Sequence, residues 1–351
     1  MKIIENYNLK NHNTFGFDVV AKKFVEYENE AKLIEFLKTN SDKILHIGSG
    51  SNLLFLGDFD GTILHSAIRF IEKVQAPPRK GGQSSPTLGE LEGAMFFRVG
   101  AGVVWDDFVA EMVVCGFGGA ENLSLIPGET GAAAVQNIGA YSVEIQDIIA
   151  KVEAIEIDTL QKRIFDISEC KYNYRESIFK TDLKGKFIVT AVVFCMSKNP
   201  VLKLDYGALK EHFKHIDNPN IQDVRNAVIK IRQSKLPDTK ILGNGGSFFK
   251  NPYCSKEHFE SLQKNYPNIP FYPVVTASDK EVVKLSAAWL IEQCGWKGKT
   301  LGGAAVYHLQ PLVLVNQGNA TPQDVANLSA EIQKSVKEKF CLELEPEVNF
   351  I

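Results

Sequence analysis

The run IPGETGAAAVQNIGAY, residues 126–141, constrains this chain more than any other segment. Gly128, Gly131, Gly139 and the alanines 132, 133, 134 and 140 leave almost no side-chain bulk. Main chain this bare can lie close against a large planar ligand or a diphosphate. Gln136 and Asn137 add amide groups that could read the edge of a heterocycle. A tightly packed helix-to-loop crossing has the same composition, so the run by itself leaves both readings open.

A second bare segment, Gly48-Ser49-Gly50-Ser51-Asn52, follows the strand-like residues 43–47 and precedes the strand-like residues 53–56. Glycines here permit positive φ and let N–H groups converge on an anion. A Rossmann turn needs G-x-G-x-x-G opening a helix. The third glycine is missing and strand-like residues come next, so a Rossmann site is excluded. A phosphate nest and a plain hairpin turn both remain. Two bare segments within one strand-rich region favour a cofactor groove.

Around these segments, residues 24–27, 62–64, 95–99, 152–157 and 187–196 have strand character, the last most strongly. Residues 30–39 and the set Trp105, Phe108, Val109, Met112 and Val113 have helical spacing. Residues 75–93, rich in Pro, Gly and Ser, read as a surface insertion. Beyond residue 203 helices gain weight. Ile221, Val224, Val228 and Ile231 share a face, residues 285–294 form a second helix, and Thr321 caps a third with Pro322 at its first position. Residues 342–351 alternate as a final strand, with Glu343, Glu345 and Glu347 on one side and Pro346 as an edge marker. The fold class expected is α+β.

With 351 residues, 44% of them hydrophobic, the chain has material for two or three domains. A net charge of −3 argues against a nucleic-acid partner. The longest apolar run, 187–196, is too short for a bilayer, and the N-terminus lacks the apolar core of a signal peptide. A cytoplasmic protein without membrane association is expected. None of the six cysteines shares a C-x-x-C spacing, so no metal is expected and the thiols should be reduced.

Three polar groups stand out in the second half. Tyr174-Arg175 comes just after Tyr172, and an arginine that cannot lose its charge must pair or stay wet. In GNGGSFFKNP, residues 243–252, glycines precede Ser247 and two phenylalanines succeed it. A nucleophile elbow would need G-x-S-x-G, so Ser247 reads as a proton donor rather than an acyl nucleophile. Arg232 and Lys235 follow a helix and could grip a diphosphate. Taken singly, an exposed arginine, a turn serine and a solvated helix end explain the same residues, and nothing in composition singles out Glu347.

Taken in order, these motifs resemble the UDP-N-acetylenolpyruvoylglucosamine reductase family nearly end to end. The resemblance is carried by NTFG at 13–16, GSGSN at 48–52, the 126–141 run, YRESIFK at 174–180, KLPD at 235–238, GSFFKNP at 246–252, GGAA at 302–305 and LEPEV at 344–348. It implies a two-lobed FAD-binding region of the vanillyl-alcohol-oxidase / p-cresol methylhydroxylase type, residues 1–70 and 71–202. A C-terminal α+β substrate domain, residues 203–351, would complete the chain, its last strand returning to the active site. The resemblance also implies non-covalent FAD, NADPH as co-substrate, and reduction of the enolpyruvyl group of UDP-N-acetylglucosamine enolpyruvate to UDP-N-acetylmuramate in peptidoglycan synthesis. By the resemblance Arg175, Ser247 and Glu347 are catalytic. Gly48, Ser49, Gly50, Ser51, Asn52, Ile126, Pro127, Gly128, Gly131, Gln136, Asn137, Gly139 and Ala140 would meet the cofactor. Tyr141, Tyr174, Tyr206, Arg232, Lys235, Asn251 and Gln310 would meet the substrate, Tyr206 as a mobile cap. A monomer is expected. Two competing readings are a flavin oxidase of the same fold and a nucleotide-sugar-binding protein without activity.

Overall fold

The computed structural model describes residues 1–77, 93–275 and 281–351. The expected insertion at 75–93 falls almost entirely outside the described residues. Contacts gather the chain into two compact units rather than three sequential blocks. Met1–Tyr7, Ala21–Ser49 and Asp60–Ser234 form the first; Asn8–Val20, Gly50–Phe59 and Lys235–Ile351 form the second. The difference from a linear division has a local cause. Main chain at 14 and at 52–56 bonds to residues of the C-terminal part, so those segments leave the N-terminal lobe.

In the first unit a four-stranded sheet runs Lys2–Asn8, Val20–Tyr27, Phe59–Ser66, Ile44–Ile47 in space. The last two strands are parallel, with Ile47 opposite His65. The helix Glu30–Leu37, capped by the Asn29 side chain, adds Leu33 and Phe36 to the core of this sheet. A five-stranded sheet has the order Lys162–Asp166, Ile149–Glu156, Phe187–Ser197, Ala94–Gly100, Ile71–Val74. Its central strand, FIVTAVVFCMS, is buried at every position but the first. A strand buried on both faces needs a near-continuous apolar run, and this one is broken within only by Thr190. The helix Trp105–Val114 lies over it, Phe108 stacking on Phe194 with ring centroids 5.0 Å apart. Two helices, Gly207–Phe213 and Ile221–Lys235, complete the unit around Leu209, Phe213, Val224 and Val228.

The second unit holds a sheet ordered Gly243–Ser247, Val313–Asn316, Ala304–Val306, Thr300–Leu301, and a three-stranded sheet ordered Tyr253–Ser255, Glu281–Leu285, Phe271–Val275. Helices Lys256–Asn265, Ala287–Gln293 and Pro322–Phe340 accompany them. The longest of these starts as expected: Thr321 and Asp324 form a reciprocal capping box with Pro322 at the first position.

The terminal strand is shorter than its pattern. Alternation holds, with Leu342, Leu344 and Val348 buried, but only Asn349–Phe350 pairs as a strand, parallel to Leu53–Leu54. Pro346 cannot donate to a ladder, and the segment is instead pinned at intervals. Lys250 N donates to Glu345 O, Glu347 N to Phe248 O, and Asn349 N to Asn52 O, all within 3.0 Å.

Candidate active site

In the first unit, the 126–141 run folds as loop, helix and hairpin rather than as one extended wall. Thr130–Gln136 is helical, with Ala133 and Ala134 buried. A Cβ on Gly131 would lie 2.8 Å from the Cβ of Ala101. Part of the missing bulk therefore serves helix packing, the alternative left open by the sequence. Asn137 ends the helix in the left-handed region at φ 48°. Its Nδ2 donates to Glu144 Oε2 at 3.0 Å and to Asn173 O at 2.8 Å, while its Oδ1 accepts from Gln146 N at 3.2 Å. That amide is committed within the protein.

The carbonyls at the end of that helix and in the hairpin hold Arg175. Its backbone is left-handed at φ 56°, in a tight turn where Asn173 and Glu176 exchange main-chain bonds. Nη2 donates to Gly139 O at 2.5 Å and Nη1 to Asn137 O at 3.5 Å; Glu144 Oε1 lies 3.7 Å from Nη1. The guanidinium also sits over the Tyr174 ring, 5.1 Å from its centroid. A Cβ on Gly139 would fall 2.8 Å from Nη1. The glycine at 139 thus makes room for a cation.

Arg232 lies in the same unit. The helix that carries it is anchored by Arg225, whose Nη1 and Nη2 donate to Asp106 at 2.6 and 3.0 Å. Burial would raise the Asp106 pKa, but the Arg225 bonds, the Leu125 N–H and the two arginine charges outweigh it and hold it below the usual carboxylate value. With Asp106 so occupied, the buried Nε of Arg232 has no hydrogen-bond partner among the described residues. Burial pulls its pKa down, opposed by Tyr141 and Asp106. A buried arginine N–H without an acceptor suits an anion. The Tyr206 ring meets Tyr141 edge-on, centroids 6.2 Å apart, and is itself 37% exposed.

The glycine turn at 48–52 passes from the first unit into the second between Ser49 and Gly50. The buried Ser49 Oγ has no hydrogen-bond partner among the described residues. A Cβ on Gly48 would meet Ala132 Cβ at 3.2 Å and Glu129 Oε2 at 3.3 Å, so the turn packs directly on the Gly128–Gly131 region. An orphaned hydroxyl on a glycine turn beside a second bare segment fits a phosphate-bearing cofactor. The residues present therefore suit FAD.

Sequence reasoning missed a buried cluster beside that turn. His65 Nδ1 lies 3.0 Å from Glu26 Oε2, and its Nε2 lies 2.9 Å from Glu129 Oε1. The signal was present in IPGET: a glutamate inside a segment read as anion-binding needs a neutralising partner.

In the second unit, Ser247 closes the strand Gly243–Ser247, opposite Val313 after a bulge, and is exposed. The NTFG motif backs the strand: Thr14 Oγ1 donates to Asn244 O at 2.6 Å, and Asn244 N to Thr14 O at 2.9 Å. Glu347 N bonds to Phe248 O, the residue after Ser247, at 2.8 Å. Asn52 Nδ2 donates to Glu347 O at 3.1 Å. This unit therefore brings Ser247, Glu347 and Asn52 into one main-chain network. Asn251 Oδ1 accepts from Ala287 N at 2.9 Å, and Gln310 Oε1 from Leu312 N at 3.3 Å. Both side chains keep an NH₂ group for other partners. Lys235 is exposed in this unit.

Comparison with known proteins decides the family. The model described as UDP-N-acetylenolpyruvoylglucosamine reductase, C-terminal domain, matches residues 237–351, and an FAD binding domain matches 21–159. The UDP-N-acetylenolpyruvoylglucosamine reductase of Bacteroides fragilis is 46% identical over 349 residues, 99% of either chain. The chain belongs to this family. The reductase of Flavobacterium johnsoniae is 43% identical over the whole of both chains. The crystal structure of the reductase from Thermus caldophilus shares the fold, with a TM-score of 0.64 at 22% identity over 99% of this chain and 98% of that one. The α+β flavoprotein fold and the FAD cofactor expected from the sequence are thus those of the family. Among the described residues no helix is long and apolar enough to cross a membrane.

Proposed function

We propose that the protein reduces the enolpyruvyl double bond of UDP-N-acetylglucosamine enolpyruvate, giving UDP-N-acetylmuramate for peptidoglycan synthesis. The observation that carries the reading is the pinned terminal segment: it sets Glu347 one main-chain bond from the strand that ends in Ser247. The exposed hydroxyl of Ser247 is left for a ligand. The turn at Gly48 and Ser49, Gly50, Ser51 and Asn52, and the Gly128–Gly139 main chain would hold FAD, which would supply hydride equivalents drawn from NADPH.

The protein's own groups manage charge and proton. Hydride addition to the terminal alkene carbon moves negative charge onto the carbon beside the carboxylate and onto its oxygens. A fixed guanidinium meets charge that develops there, and Arg175 is fixed by Gly139 O, Asn137 O and the Tyr174 ring. Ser247 Oγ gives its proton to the carbon beside the carboxylate. A hydroxyl is a weak acid, but a carbanion-like enolate is a strong enough base to take its proton. An ionised Glu347 would oppose the developing charge, so it either donates a hydrogen bond as the protonated acid or orients Arg175. Arg232 and Lys235 take the diphosphate, Tyr141, Tyr174, Asn251 and Gln310 line the sugar nucleotide, and Tyr206 covers it. The enzyme works as a monomer in the cytoplasm, where nucleotide sugars are made.

Purified protein should be yellow, bleach on adding NADPH without oxygen, and regain its colour on adding the enolpyruvyl sugar nucleotide. Colour that returns only with oxygen would sink the reductase reading.

A further inference from the structure

The cluster that the proposed chemistry leaves unused is the buried line Glu26–His65–Glu129 in the first unit. The His65 and Glu129 side chains are 5% and 7% exposed, whereas Glu26 is 31% exposed and keeps access to water. Both ring nitrogens face carboxylate oxygens, at 3.0 and 2.9 Å. Two acceptors require two N–H donors, and only the imidazolium has both. The other oxygen of Glu129, Oε2, abuts the Gly48 position of the bare turn. A carboxylate at that place is unfavourable for a turn that receives a phosphate-bearing cofactor, unless its charge is offset.

We propose that His65 is a positioning residue for the flavin site: as an imidazolium between Glu26 and Glu129 it holds the Glu129 carboxylate against the Gly48–Ser49 turn and offsets its charge, so that the turn accepts an anionic diphosphate. This rests on the reading that the turn meets the cofactor. With His65 charged, the three groups carry one net negative charge; with it neutral they carry two, and the more buried carboxylate loses its counter-ion.

Glu129 and Glu26 bond to His65, and His46, paired with Tyr27, acts on its charge. Burial lowers the His65 pKa, but the bonds and charges of Glu129 and Glu26 outweigh that and hold it above the ordinary histidine value. His46, bonded to Tyr27 Oη at 2.7 Å, is pushed down to about 3 by burial and stays neutral. The Tyr27 phenol is pushed up by burial and keeps its proton. Neither therefore changes charge across the neutral range. A raised folded-state pKa means that the His65 contribution is complete below about pH 6.5 and fades as pH rises through the folded value.

The test is FAD affinity, read by quenching of flavin fluorescence on titrating deflavinated protein between about pH 6 and 9. Wild-type affinity should fall toward alkaline pH. His65→Gln should bind FAD at least ~10-fold more weakly near neutrality, with the alkaline fall gone. In the Glu129→Gln background the same His65→Gln change should cost less than about twofold, because the carboxylate it serves is missing. Ser49→Ala reads the turn itself and should weaken FAD several-fold. If Ser49→Ala weakens FAD while His65→Gln keeps wild-type affinity and pH profile, His65 has no such role and the turn assignment stands. Wild-type affinity in Ser49→Ala overturns both, since the diphosphate is then elsewhere. Should His65→Gln not fold, Glu129→Gln carries the test alone: an alkaline fall in affinity that persists there overturns the proposal.

Discussion

Replacing Ser247 by alanine should leave reduction of the flavin by NADPH at its wild-type rate and slow reoxidation by the enolpyruvyl substrate by ~10²–10⁴-fold. The asymmetry comes from chemistry, because only the second half-reaction ends with a proton on carbon. It also comes from placement. Ser247 terminates a strand fixed by Thr14 on one side and, on the other, by Phe248, whose N donates to Leu312 O and whose O accepts from Glu347 N. The Ser247 side chain is exposed, so the loss of one oxygen should leave thermal stability within about 0.5 kcal/mol of wild type. Stopped-flow absorbance separates the two phases. Equal slowing of both would mean that the serine shapes the cleft rather than donating a proton. A turn serine making only a local backbone bond would show the reverse pattern, with stability reduced and both rates kept.

The parts of the fold that depend on periodicity were legible in the sequence. Residues 187–196 read as the strongest strand and form the core of the central strand Phe187–Ser197. Thr321-Pro322 marks the start of the last helix to the residue. What escaped depends on contacts distant in sequence. The second unit recruits Asn8–Val20 and Gly50–Phe59, and no local pattern announces that Asn52 will bond to Glu347. Strand Lys2–Asn8, mostly exposed, has no apolar alternation to reveal it. The site shows the same division. Ser247, Arg175 and Glu347 came from ordered motifs, and Glu347 in particular could not have come from composition. The network Glu26–His65–Glu129 joins three remote positions, and only the strand pairing that sets His65 opposite Ile47, one residue before Gly48, makes it visible. The bare 126–141 run was legible as unusual, but its purpose was divided: Gly131 serves the packing of a helix and Gly139 the seating of a guanidinium.

That division yields the second large effect. Gly139→Ala should lower kcat by ~10²–10³-fold while leaving FAD affinity within about threefold of wild type. The added methyl carbon would stand 2.8 Å from Arg175 Nη1, 2.9 Å from Glu144 Cγ and 3.0 Å from Val143 O. The main-chain oxygen belongs to a short hairpin, Gly139–Ala140 against Val143–Glu144, and cannot readily yield. The guanidinium therefore swings away, losing its bonds to Gly139 O and Asn137 O, and no longer stands where negative charge appears. If bareness at 139 served the flavin instead, the same substitution would raise the FAD dissociation constant and spare kcat at saturating FAD. Flavin fluorescence titration and steady-state rates on one preparation distinguish the two. An Arg175→Lys variant sets the scale: an ammonium cannot reach both main-chain oxygens with a planar fork. Its loss in kcat should match that of Gly139→Ala, and the double variant should be little worse than either single one, because both changes remove the same fixed charge.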